Sequence, residues 1–359
     1  MKPYGLIADL HAHSWSAFSS LDSQGRNTRL MSICHEIDRC CEETLKAGGN
    51  RVVFAGDLFH TRGSVEPAVF NPIKDCLSRN ITKGIDGFHG IPGNHDLASK
   101  ESNELGSSVA MLGDQCIHWY HQWHASNVLE PRLADRQPIV FAPWVSDPTC
   151  YLATIEELAS TMGGYVKVCD LICHIGIDGT LSSMPPHGVT PEKLKALGFK
   201  RVFSGHYHHH KDFGDGIYSI GATTHQTWSD VGTKAGFMIV HLNSVQWFAS
   251  HAPSFVDLDG TESAEELPLI VDGHFVRAKI GEADVKKVQE WRENLMEMGA
   301  KGVIIQALPP STAAKRAGVS AKSLSAIDKS VTDYVAERKM PAVVATICAD
   351  VLAAVRGGV

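Results

Sequence analysis

No uninterrupted apolar stretch in this 359-residue chain approaches the length of a bilayer span. The nearest candidate, Ala342 to Val355, is broken by Asp350 and is too short, so a helical membrane anchor is not expected. The chain enters an apolar run by Tyr4, which leaves no room for a cleaved leader, and a peripheral membrane role has no support. Cys-x-x-Cys pairs are also missing. Nine cysteines, at positions 34, 40, 41, 76, 116, 150, 169, 173 and 348, follow neither zinc-ribbon nor disulfide-framework spacing. They read as reduced thiols, mostly small core hydrophobes, in a cytoplasmic compartment. A Gly-x-x-x-x-Gly-Lys-Ser/Thr loop is absent, which excludes a P-loop motor within this chain. There is no excess of positive charge either. With 33 Lys and Arg against 40 Asp and Glu the formal charge is -7, which argues against tight non-specific binding to a polyanion by surface charge alone.

What remains is an ordinary globular composition, 43% hydrophobic and 20% charged, long enough for two or three domains with well-buried cores. Nineteen histidines are a rich supply, and their placement is the informative feature. Short runs rich in Val, Ile, Leu and Phe, namely Tyr4 to Ala8, Arg51 to Ala55, Gly87 to Pro92, Leu171 to Cys173 and Arg201 to Ser204, read as buried strands. Each ends in a polar block. In order these are Asp9-Leu10-His11, Gly56-Asp57-Leu58-Phe59-His60, Gly93-Asn94-His95-Asp96, His174, and Gly205-His206-Tyr207-His208.

One Asp-x-His pair means little, because residues two apart on a strand share a face and often do no more than hydrogen-bond. Five blocks are different. In open α/β sheets ligands collect beyond the carboxyl ends of strands, and every block falls at such an end. Carboxylate, amide oxygen and imidazole suit manganese, iron or zinc without any thiolate. The set therefore reads as a two-metal phosphoesterase centre.

These blocks resemble the calcineurin-like metallophosphoesterase superfamily and, within it, the SbcD and meiotic-recombination-eleven branch of DNA repair nucleases. The second block runs Gly-Asp-Leu-Phe-His and is followed by Pro67 and an amphipathic stretch to Arg79, where phosphatases carry Asp-Arg-Gly. The segment from Gly205 through Tyr218, Gly221, Thr224, Gln226 and Ser229-Asp230 to Gly236-Phe237 is similar to that branch's return into a closing strand. The likeness is strong over residues 4 to 242 and weak beyond. It implies a four-layer αββα sandwich with a small C-terminal α/β capping domain. It also implies two divalent ions, most often Mn2+, with Mg2+, Fe2+ or Zn2+ as alternatives. Carried over by residue, Asp9, His11, Asp57 and His208 would hold the first ion and Asp57, Asn94, His174 and His206 the second, with Asp57 bridging. His95 would contact the scissile phosphate, Asp96 would orient the His95 ring, and His60 would help position a nucleic acid strand. DNA is the expected partner, together with an SbcC-type coiled-coil ATPase and a second copy of the chain as a homodimer.

Along the chain, apolar positions Leu30, Ile33, Ile37, Cys41 and Leu45 recur at helical spacing from Asn27 to Lys46, ending at Gly48-Gly49. Residues Leu97 to Ser107 read as a polar loop, Pro138 to Trp144 as a strand and Ala153 to Met162 as a helix. The phosphoesterase domain is expected over 1–245 and a linker over 246–268, followed by a capping unit over 269–322. In that unit Phe275 to Ile280 reads as a strand, Glu282 to Met298 as a helix and Gly302 to Leu308 as a strand. A helical segment over 323–359, built of Ser323 to Glu337 and Ala342 to Val355, would pack on the cap or dock a partner.

Trp119, Tyr120, Trp123 and His124 could stack bases but fit a core or interface better. His13, His209 and His210 read as polar rim. Asp9 to Ser14 also resembles the opening motif of the polymerase-and-histidinol-phosphatase family, a likeness that Gly-Asn-His-Asp and Gly-His-x-His do not share. The leading expectation is thus a DNA nuclease acting from 3' ends, on hairpins or on single strands. A phosphodiesterase or phosphatase for a small substrate is the enzymatic rival, and a DNA-tethering subunit with weak catalysis is the third reading.

Overall fold

The computed structural model describes residues 1–99, 102–122, 124–126, 135–182, 184–281 and 287–307, with isolated residues between 331 and 348. The chain divides into two units, 1–307 and 308–359. In the second, short helical pieces lie at 334–335, 343–344 and 346–348, and the rest of the two C-terminal helices expected from the sequence falls outside the described residues.

In the first unit two six-stranded sheets face each other. Val245–Ala249 (β14), Gly236–Val240 (β13), Tyr4–Ile7 (β1), Arg51–Ala55 (β2), Gly87–Ile91 (β3) and Ile117–Trp119 (β6) lie side by side in that order. Lys211–Asp212 (β11), Ile217–Ser219 (β12), Arg201–Gly205 (β10), Asp170–His174 (β9), Ile139–Ala142 (β8) and His124–Ser126 (β7) form the other. Strands β1, β2 and β3 run parallel, as do β8, β9 and β10, so within each sheet these strands deliver their carboxyl ends to one edge.

Both faces of each sheet are covered, which is why the strands read as continuous apolar runs. In β2, Val52 and Phe54 pack against the helices Thr28–Lys46 (α1) and Pro67–Thr82 (α2), while Val53 and Ala55 meet Ile172 and Phe203 of the other sheet. The outer face of the second sheet is covered by Pro148–Met162 (α3) and Pro191–Ala196 (α4). The result is a four-layer αββα sandwich. Helix α1 begins where the Asn27 side chain accepts the backbone N–H groups of Arg29 and Leu30, and its Leu30, Ile33, Ile37 and Cys41 stripe is buried as its spacing predicts.

A third sheet of three parallel strands, Phe255–Leu258 (β15), Phe275–Ile280 (β16) and Gly302–Ala307 (β17), follows. The helices Leu267–Val271 (α5) and Val288–Glu297 (α6) bury Val271 and Leu295 against Val276, Ala278 and Val303. The segment 246–268 therefore holds the end of β14, all of β15 and the start of α5, and is not a bare linker. Phe275 stacks on Phe18 and Phe255 meets Trp228 edge-on, which fastens this sheet to the loops that follow β1 and β12. The stretch from Leu97 to Ser107 also departs from expectation, because Leu97–Ser99 (β4) and Ser102–Ser107 (β5) pair as a hairpin. No helix among the described residues is long and apolar enough to cross a membrane.

At the amino ends of the strands the two large sheets share a buried polar clamp. Tyr4 of β1 donates its hydroxyl to Asp170 of β9 at 2.8 Å, and Arg201 of β10 grips both Asp170 oxygens at 2.8 and 2.7 Å. Asp170 is fully buried and Arg201 nearly so. Removing one partner of such a pair strands the other charge in an apolar interior. Asp170→Ala is expected to lower unfolding stability by about 3–5 kcal/mol, read by urea denaturation. A loss below about 1 kcal/mol would show that the clamp does not hold the sheets together.

Candidate metal centre

At the opposite ends of these strands the five polar blocks converge. Asp9 and His11 follow β1, Asp57 and His60 follow β2, and Asn94, His95 and Asp96 follow β3. His174 ends β9, and His206 and His208 follow β10, so the centre spans both sheets. The loops after β1 and β2 run together: His11 N–H donates to the Asp57 carbonyl at 3.0 Å and Ala12 N–H to that of Leu58 at 2.8 Å. Tight packing here needs small residues. A Cβ on Gly56 would strike the His174 ring, and one on Gly93 would strike both Asp57 and His174.

The backbone is strained where the ligands sit. Of six non-glycine residues with positive φ among the described residues, four are Asp9 (50°), His11 (45°), Asp57 (52°) and His206 (92°). Such conformations cost about 1–3 kcal/mol each and persist only where the surroundings enforce them. The strain turns these side chains inward to face one another.

Their donor atoms fall into two groups that share one oxygen. Asp57 Oδ2 lies 3.6 Å from His11 Nε2, which lies 3.1 Å from His208 Nε2. The same Oδ2 lies 3.4 Å from His174 Nε2, which is 3.3 Å from Asn94 Oδ1, itself 3.0 Å from His206 Nδ1. Asp9 joins both groups, within 4.8 Å of His11 and His208 and of Asp57 and His174. Its two oxygens also accept the His206 N–H, each at 3.1 Å.

The outer nitrogens of the rings are already committed. His174 Nδ1 donates to the Ala55 carbonyl at 2.7 Å, because that oxygen can only accept. His208 Nδ1 lies 2.8 Å from the Asp230 carboxylate, which is further held by the N–H groups of Gln226 and Thr227. His11 Nδ1 faces His60 Nδ1 at 3.3 Å. In the neutral rings, His174 therefore turns its Nε2 lone pair toward the Asp57 carboxylate, and His208 turns its own toward His11 Nε2.

Electrostatics follow from this crowding. Burial pushes Asp9 up to about 6 despite His174 and His208. Burial acts to raise Asp57 as well, but the charge and hydrogen bond of His174, with His11, hold it below the usual carboxylate range. His174 is itself raised to about 9, since Asp57 and Asp9 outweigh its burial. His206 falls to about 3 through burial and the charge on His174, and His60 to about 4 through burial and His95.

This donor set fits divalent cations. Around an ion with bonds of about 2.1 Å, neighbouring ligand atoms lie about 3.0–3.4 Å apart, close to the separations between these donors. Asp57, Asp9, His11 and His208 could hold one ion, and Asp57, Asn94, His174 and His206 a second. A neutral amide oxygen in the second group limits its negative charge.

His95 stands beside the donors. Its Nδ1 donates to the His60 carbonyl at 2.7 Å and its backbone N–H to Asp57 Oδ1 at 2.7 Å. The orienting role expected of Asp96 is corrected here. The turn at 93–96 sends its carboxylate inward, where it accepts the N–H groups of Leu58, Phe59 and Gly93, and the His60 carbonyl takes its place on the His95 ring. Asp96 ties the second block to the third, and burial with the nearby Asp57 pushes it up to about 7.

His60 stacks on His95 at 5.3 Å and lines the cleft. His13 stands 5.2 Å from His60, ring to ring, while His210 packs on Trp247 away from the donors. Trp119 packs on Phe54, and Tyr120 stacks on Phe141. Trp123 lies outside the described residues. Asp230, 22 positions beyond His208, is the residue at the centre that sequence reasoning missed as a participant. Its signal was the Thr227 to Asp230 capping box, which presents the carboxylate to His208.

A fold and a site of this kind define a metal-dependent phosphoesterase. The chain belongs to the calcineurin-like phosphoesterase family, whose model matches residues 2–210. No curated protein sequence matches it. Among solved structures it is similar to a dimetal phosphatase from Danio rerio, with 10% identity, 69% of this chain and 96% of that one covered, and a TM-score of 0.45. It is also similar to GAP50, the anchor in the inner membrane complex of Plasmodium (14%, 69% and 84%, TM-score 0.43), and to the Pseudomonas putida nuclease MPE (15%, 69% and 92%, TM-score 0.29). At these scores the likenesses carry no inference about activity.

Adding Mn2+ to chelator-treated protein is expected to raise its melting temperature, and Asp57→Asn to abolish that rise. Asp230→Ala is expected to weaken Mn2+ binding by about 10- to 100-fold in calorimetric titration, because the His208 ring loses its anchor. An Asp57→Asn variant that still gains full stability from Mn2+ would remove Asp57 from its bridging position.

Proposed function

We propose that this chain is a two-metal DNA nuclease, hydrolysing phosphodiesters from 3' ends, in hairpins or in single strands during repair or recombination. The observation that carries the reading is the form of the cleft. Five of the donors, His11, Asp57, Asn94, His206 and His208, line a depression open to solvent, about 420 Å³, whose lining also includes Trp15, His60 and Thr227. A second hollow, open to solvent and about 330 Å³, is lined by His13, Thr61, Ser64 and Glu66, and its His13 stands 5.2 Å, ring to ring, from the His60 of the first. A small phosphoester is best held in one enclosing pocket, whereas a strand needs a groove that continues past the reacting phosphate.

Two bound divalent ions would supply hydroxide near neutral pH and offset charge on the phosphate oxygens. The side chains do the rest. Asp57 fixes the backbone of His95, and the His60 carbonyl holds its Nδ1 proton; with a second proton taken up from solvent at Nε2, the ring would pass that proton to the departing 3' oxygen and return to its neutral Nδ1–H form. Mn2+ is the proposed working ion. By family resemblance the proposal extends to an SbcC-type ATPase, which this chain needs from elsewhere because it has no phosphate-binding loop of its own, and to a homodimer. Residues 323–359 would dock the ATPase.

With Mn2+, the protein is expected to degrade end-labelled duplex or hairpin DNA. His95→Ala should lose about 100- to 10,000-fold in rate while keeping the melting shift caused by Mn2+. Cleavage of a small chromogenic diester without any cleavage of DNA, even with an ATPase partner and ATP, would make a small-substrate phosphodiesterase the better account. Deleting 323–359 should abolish co-purification of the ATPase, and undiminished binding would sink that assignment.

A further inference from the structure

Trp15 lies in the loop after β1 and takes no part in the donor set, yet it lines the same cleft as His11, Asp57, Asn94 and His95. The ring is held from several sides. The Arg29 guanidinium sits 5.0 Å from its centre, the His13 ring meets it edge-on at 5.1 Å, and the His60 ring tilts over it at 4.6 Å. His60 in turn stacks on His95, so an aromatic series leads from the reacting centre to the indole.

The loop that carries Trp15 is pinned. Its carbonyl accepts from Asn27 Nδ2 at 2.8 Å and from Ser19 Oγ at 2.5 Å. Arg29, itself buried, donates to the Ala17 and Gln226 carbonyls at 3.2 and 2.7 Å. Packing alone would not need a partly exposed indole lining a polar cleft. A large aromatic surface fixed beforehand costs little entropy when another flat ring is laid on it.

We propose that Trp15 is the stacking platform for a nucleobase next to the scissile phosphodiester, which makes it a positioning residue of the cleft. This inference rests on the nuclease reading. Stacking of this kind contributes about 1–3 kcal/mol per base and tolerates any base, so it would serve a nuclease without sequence preference.

The test uses the full chain with Mn2+ and two single-stranded oligonucleotides, one normal and one abasic at the nucleotides flanking a single cleavable linkage. The ratio of kcat/KM for the normal over the abasic strand is expected to fall about tenfold in Trp15→Ala and to recover in Trp15→Phe. Indole emission should be quenched by the normal strand, with the quench reduced in Trp15→Phe. An unchanged ratio in Trp15→Ala, with both strands still cleaved, overturns the platform alone, and so does equal quenching in Trp15→Phe. If the wild-type protein cleaves neither strand, even with an ATPase partner and ATP, the nuclease reading itself falls. Should Trp15→Ala not fold, the same ratio in Trp15→Leu decides the matter.

Discussion

Seven side chains with oxygen or nitrogen donors are forced to face one another around Asp57 Oδ2, and the rest of the molecule is organised to make that possible. Left without cations, such a group is unfavourable, since buried lone pairs and carboxylates repel across 3 to 4 Å in a medium of low dielectric. Four positive-φ residues, two glycines in contact with the His174 ring, and hydrogen bonds that commit the outer nitrogens of His174 and His208 all serve to hold the donors in that arrangement. Local strain and like-charge crowding in one place are expected of a binding centre and have no evident purpose in a core.

The sandwich is thus joined at both ends by different physics. At the amino ends of the strands Tyr4, Asp170 and Arg201 form a closed, satisfied network. At the carboxyl ends the arrangement is open to cations, and Asp57 from one sheet meets His174 from the other. The third sheet bears on this end through Phe18 and Trp228, and Trp228 lies two residues before the Asp230 that holds His208. Its docking and the orientation of one proposed ligand are therefore part of the same local structure.

Much of this was legible in the chain because both large sheets are buried on both faces, so that their central strands appear as apolar runs and the polar blocks mark their ends. Helix α1 was equally plain from its periodicity and Asn27. The parts that escaped had weaker signals. Strand β15 is four residues between Pro253 and Asp259-Gly260, and β4 and β5 carry too little apolar alternation to stand out from a loop. The role carried over to Asp96 does not hold, since the tight turn at Gly93 to Asp96 points neighbouring side chains in different directions. The Thr227 to Asp230 capping box marks a local turn but not its contact with His208, and Trp15 reaches the centre only through tertiary contacts that no local pattern encodes.

The central claim is that Asp57 lies between two cation positions, and anomalous diffraction from crystals grown with Mn2+, recorded at the manganese absorption edge, tests it most directly. The account predicts two peaks about 3.5–4 Å apart, one on the His11 and His208 side of Asp57 and one on the His174 and Asn94 side. A single peak, or a pair that does not share the Asp57 carboxylate, would contradict it.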